Sequence, residues 1–201
     1  MKFKFFSIIA IITTLLNTSC TKEETSNPEN FNLSSKVLKF EDIEKIAVQV
    51  SGIQNRLSTS RVDEATAEAE IREAMLPLIE NGEVLHNEII SQIDFSDPNL
   101  ELTEEEINHI DNMSEQELAQ LSLIFSTAYN NNIARADYDM VMNCLGAALG
   151  INEVYGLINN TAQLATVEGT KKLVKLLIRR YVGWIGVAVA VYSFSNCMGY
   201  F

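Results

Sequence analysis

The sequence predicts an all-α protein, a single helical bundle of about six or seven helices, and three observations carry that expectation. Apolar residues recur at helical spacing nearly everywhere after residue 36. No alternating strand pattern or Asn-Gly hairpin interrupts them. Two helix-start signatures, Thr103 with Glu106 and Ser114 with Glu117, stand one after the other.

A first helix is expected over about 41 to 56, where Ile43, Ile46, Ala47, Val50 and Ile53 share one face. A second runs from about 62 to 80 and opens on Asp63 and Glu64. Pro77, which lacks an amide and crowds the preceding turn, should kink it or end it near Met75 or Leu76. A continuation from Val84 to Ile93 turns Val84, Leu85, Ile89 and Ile93 inward, and the loop Asp94 to Asn99 breaks the pattern. The first capping box then opens a short helix of about 104 to 111. The second opens one carrying Leu118, Leu121, Leu123, Ile124 and Phe125, which frays at Asn130, Asn131 and Asn132.

From residue 134 the texture changes. Gly146, Gly150 and Gly156 punctuate apolar segments, and charge nearly disappears until Glu168. Lys171, Lys172, Lys175, Arg179 and Arg180 lead into Tyr181 to Phe194, a run without a charge. That run reads as the central helix of the bundle, hydrophobic all round because other helices enclose it. Ser193, Ser195 and Asn196 leave it short of the roughly 20 apolar residues that a membrane span needs.

The amino end has a different grammar. Lys2 and Lys4, the apolar run Phe5 to Leu16 and small polar residues before Cys20 read as a signal peptide over 1 to 19. Leu16-Asn17-Thr18-Ser19-Cys20 resembles the lipobox of bacterial lipoproteins, whose cysteine is lipidated and becomes the new amino terminus. Thr18 and Ser19 fit that pattern, whereas Asn17 stands where the family usually has Leu. The Thr21-Lys22-Glu23-Glu24 that follows resembles the export signal of Bacteroidota surface lipoproteins. The resemblance implies a lipid anchor at Cys20, a flexible tether over 20 to 35, and an outer-membrane address on the cell surface or its periplasmic face. The body is then 36 to 201, an acidic front (36–133) and a Gly-containing apolar tail (134–201). The plan resembles Bacteroidota lipoproteins of unknown activity over 103 to 201 and carries no functional residue across.

Charge and cysteines narrow the partners. Removing Lys2 and Lys4 takes the net charge from -12 to -14, which makes nucleic acid a poor partner. Residues 21 to 143 hold 8 Lys/Arg against 25 Asp/Glu, and 144 to 201 hold 5 against 2. With Cys20 acylated, Cys144 and Cys197 are left as a pair in an oxidising compartment, either disulfide-bonded or as two buried thiols. Closing that span would stabilise the fold by about 4 kcal/mol on the chain-entropy argument.

Chemistry is hard to find. His86 and His109 lack the spacing of paired metal ligands, and His109, beside Asp111 on a capped helix, should face solvent. Asp94, Asp97, Asn99 and Glu101 are oxygen-rich but miss the EF-hand pattern: Leu102 stands at the glycine position and Asn108 at the glutamate position. No nucleophile elbow, phosphate loop or dinucleotide-binding pattern occurs. The expectation is a non-catalytic binding or structural module without cofactor or metal. It contacts membrane through its lipid, and an unidentified protein or the membrane through Lys171, Lys172, Lys175, Arg179, Arg180 and Trp184. The alternative is a membrane-perturbing, bacteriocin-like protein acting through the cationic apolar tail 140 to 201.

Overall fold

A computed structural model describes residues 33, 35–59, 62–98, 101–130, 135–150, 166–178 and 183–199. The protein is an all-α bundle, with eight helices among the described residues. They are α1 (Phe40–Ser58), α2 (Glu64–Ala74), α3 (Leu76–Gln92), α4 (Glu104–Asp111), α5 (Glu115–Tyr129), α6 (Arg135–Leu149), α7 (Val167–Ile178) and α8 (Trp184–Cys197).

The five positions expected on the inner face of the first helix are the buried positions of α1. Asp63 caps α2 by accepting the Thr66 amide at 3.0 Å. Pro77 does not bend one helix; it sits in the first turn of a new one, where its missing amide costs nothing. Met75 alone separates α2 from α3, so the second helix ends where Pro77 was expected to end it. The expected pause between residues 80 and 84 does not exist. α3 runs straight through Asn81 and Gly82, and Val84, expected inward, is 47% exposed.

Gly82 lies where α3 crosses α5. A Cβ on it would lie 2.1 Å from the Leu118 carbonyl oxygen, so the backbones of α3 and α5 meet at this point and only glycine fits. Both capping boxes form as the sequence predicts, Thr103 with Glu106 and Ser114 with Glu117.

α5 is the innermost element, buried without interruption from Glu117 to Ala128. α8 packs against α1, α2, α5 and α6, burying Val187, Ala188, Ala190, Val191, Phe194 and Ser195. Trp184 and Ile185 pack partly buried against the core. The enclosure of α8 is nevertheless incomplete, because Val189 is 48% exposed. A disulfide joins Cys144 of α6 to Cys197 at the end of α8. No helix among the described residues is long and apolar enough to cross a membrane.

Candidate functional site

Buried hydroxyls on α5 converge on the segment that leads into α1. Ser126 Oγ accepts the Leu38 amide at 2.9 Å, and Asn130 Nδ2 donates to the Leu38 carbonyl at 2.9 Å and to the Ser126 carbonyl at 3.1 Å. One turn earlier, Ser122 Oγ donates to Asn81 Oδ1 at 2.8 Å, and Asn81 Nδ2 donates to the Lys36 carbonyl. Lys36 Nζ pairs with Glu88, and this holds the Glu88 carboxyl below its ordinary range, mainly through the hydrogen bond. Leu33 is fully buried and accepts the Lys36 amide at 2.9 Å.

These contacts form a clamp on residues 33 to 38. They also explain how polar side chains sit inside α5: Ser122 and Ser126 are fully buried and both are hydrogen-bonded. The core thus reaches back to Leu33, inside the stretch assigned to the tether and three residues before the expected start of the body. Sequence reading missed Asn81, Ser122, Ser126 and Asn130. The signal was present as polar residues recurring every fourth position, 122, 126 and 130, through an otherwise apolar helix.

Of the expected contact residues of the tail, Lys171 and Lys175 are turned toward the chain's own acidic loop, and Lys172 toward its own helix. Lys172 pairs with Glu168 one turn away at 3.2 Å, and Lys175 Nζ donates to the Glu101 carbonyl at 3.4 Å. Lys171 lies close enough to Asp94 to contribute to the lowering of its pKa. The largest cause of that lowering is the Ser96 side chain, which donates to Asp94 Oδ1 at 2.5 Å. The loop considered for calcium is therefore held by internal hydrogen bonds and faces lysines. No group of three His, Cys, Asp or Glu suited to a metal occurs among the described residues. Trp184 begins α8 and is half-buried. Cys20, Asn99, Gly156, Arg179 and Arg180 lie outside the described residues.

The histidines belong to the α3–α4–α5 junction. His86 is buried and its Nε2 donates to the Ile110 carbonyl at 2.7 Å. His109 is exposed, as expected, and its Nε2 donates to Glu117 Oε1 at 2.7 Å; that carboxylate is buried. Glu117 Oε2 accepts the Ser114 amide at 2.8 Å and the Ser114 hydroxyl at 2.7 Å. Serine, glutamate and histidine thus stand in a chain with the carboxylate in the middle. A nucleophilic serine needs the imidazole next to its own hydroxyl; here Glu117 intervenes, and the group closes a helix start.

Arg72 holds Glu115 through Nε to Oε2 at 2.6 Å and through a second bond to Oε1. The carboxyl is held below its ordinary range chiefly by that hydrogen bond. In comparisons with known proteins, the chain matches no protein family, no curated protein and no solved structure.

Proposed function

We propose that the protein is an exported lipoprotein of the bacterial cell envelope, anchored through Cys20, whose helical body is a binding module that works by surface contact without covalent chemistry. The observation that carries the reading is the clamp on residues 33 to 38. The chain that runs from the anchor cysteine is seized by α3 and α5 through side-chain bonds to its backbone. Thirteen positions separate Cys20 from Leu33, so a fully extended tether reaches about 45 Å and keeps the body close to the membrane.

The alternative, a tail of residues 140 to 201 that leaves the bundle to perturb membranes, would require α8 to abandon α1, α2 and α5. The Cys144–Cys197 disulfide lies within that tail and would move with it. Intact-mass measurement of the membrane-extracted protein tests the anchor. A chain beginning at Cys20 with diacylglyceryl mass added, and lacking two hydrogens for the disulfide, is expected; a soluble chain without added lipid mass refutes the anchor. Dye release from anionic vesicles tests the alternative. The mature protein with its disulfide intact should leave them sealed, and leakage would favour the membrane-perturbing reading.

A further inference from the structure

The outward face of α1 carries a glycine for which the fold itself has no use. Gly52 is exposed in the middle of the helix, and a Cβ built on it would meet nothing within 4 Å. Glycine inside a helix costs about 1 kcal/mol relative to alanine. At Gly82 the contact with the α5 backbone accounts for that cost. At Gly52 nothing among the described residues does, and a bare stretch of helix backbone is what a second helix needs in order to approach closely.

One turn before Gly52 stands Val48, at 54% exposure the most exposed large apolar side chain among the described residues. Two shallow depressions of about 580 and 660 Å³ share Gln49 as a lining residue; Val48 lines the smaller, and Gly52 lies outside the lining of both. Ile53, Ala74 and the exposed Leu76 give the larger groove an apolar floor. Glu41 and Glu44 border one groove and Glu73 the other. The nearby cations are already engaged, Lys45 with Asp42 and Arg56 with Glu70. Glu41, Glu44 and Glu73 have no ion-pair partner among the described residues.

We infer that this face of α1, with the groove it forms against α2 and the start of α3, docks a cationic amphipathic helix of a partner protein. The partner's apolar stripe lies along Val48, Gly52 and Leu76, and its Lys or Arg side chains meet Glu41, Glu44 and Glu73. Charge selects this occupant, since an acidic rim on an acidic body repels anionic lipid headgroups and nucleic acid alike. At 19 residues α1 is about 28 Å long, enough for five turns of a docked helix. The inference rests on the reading of the body as a binding module and is independent of the lipid at Cys20.

The test is fluorescence anisotropy of a labelled amphipathic Leu/Lys helical peptide, as long as α1, titrated with the full mature chain carrying its disulfide. Gly52→Leu fills the step without changing charge, and because the space is open and leucine is the better helix former, its melting temperature should not fall below the parent's. Glu44→Lys/Glu73→Lys reverses the rim, and Glu83→Lys/Glu105→Lys makes the same charge change on α3 and α4, away from the groove. Gly52→Leu and the rim variant are each expected to weaken binding by about tenfold or more, with the remote variant within about twofold of the parent. Absence of peptide binding, equal weakening by the remote variant, or unchanged affinity of Gly52→Leu overturns the proposal. So does a concentration-dependent dimer that Gly52→Leu abolishes, which would assign the face to a second copy. The intact-mass result at Cys20 is unaffected by any of these outcomes.

Discussion

α5 and α8 are the two helices with the least charge, and they are held in different ways. α5 carries Glu117, Gln120, Ser122, Ser126 and Thr127, yet it is buried along twelve consecutive residues. α8 contains no ionisable acid or base apart from Tyr192, yet its edge opens at Val189. Backbone contact at Gly82 and buried hydrogen bonds fix the first, whereas a covalent bond to α6 fixes the second. The lesson is that an uncharged run marks a helix that can be buried, while the deepest position goes to the helix whose polar groups all find partners or can be spared.

Breaking the covalent side should have the largest effect. Cys144→Ser/Cys197→Ser reopens a span of 53 positions and is expected to cost about 4 kcal/mol in denaturant unfolding. Hydrogen exchange should then accelerate across α8 more than across α5. Equal acceleration in both would mean that the disulfide supports the whole bundle and not one helix.

Breaking the other side needs a single methyl group. Gly82→Ala drives a Cβ into the Leu118 backbone and is expected to cost about 3 kcal/mol by chemical denaturation, since the obstacle is main chain and cannot rotate away. Gly183→Ala, where a Cβ meets nothing within 4 Å, serves as the control and should shift stability by less than about 1 kcal/mol.

Each helix also has a weakness of the same kind. Gln120 Nε2 on α5 and Ser195 Oγ on α8 are buried and have no hydrogen-bond partner among the described residues. Gln120→Met and Ser195→Ala should each stabilise the protein by about 1 kcal/mol, read as a raised denaturation midpoint. A loss of similar size would show that these groups are hydrogen-bonded in solution.

Much of the fold was legible because its signals are local. The inner face of α1, the Asp63 cap and both capping boxes follow from spacing and from hydroxyl–carboxylate pairs within one turn. The Cys144–Cys197 pair followed from setting Cys20 aside for the lipid. What was missed depends on contacts distant in sequence. The contact of Gly82 with the Leu118 backbone is one such case, since nothing in the spacing of α3 places α5 against it. The exposed place of His109 was legible, but its bond to Glu117 was not, because that partner belongs to the next helix. The clamp was visible only as a fourfold recurrence, since no sequence rule says that Ser126 meets the Leu38 backbone.

The smallest expected effect is on pH dependence. Glu88 and Glu115 are held below their ordinary 4.5 by Lys36 and Arg72. A carboxyl depressed in the folded state contributes stability that is complete above its unfolded value and disappears as pH falls through the folded one. Stability should therefore be flat near neutrality and begin to fall below about pH 4.5. Glu88→Gln, followed by thermal melts across that range, should make the decline shallower.

The account turns on residues 33 to 38 being part of the body, and the Leu38 amide reports on this directly. It lies outside every helix, and its hydrogen-bond acceptor is the buried Ser126 hydroxyl. Residue-resolved hydrogen exchange of the mature protein should find it protected to the level of helix-interior amides, with protection lost in Ser126→Ala. Exchange of the parent protein at the rate of an unstructured peptide would contradict the clamp and, with it, the place of Leu38 in the body.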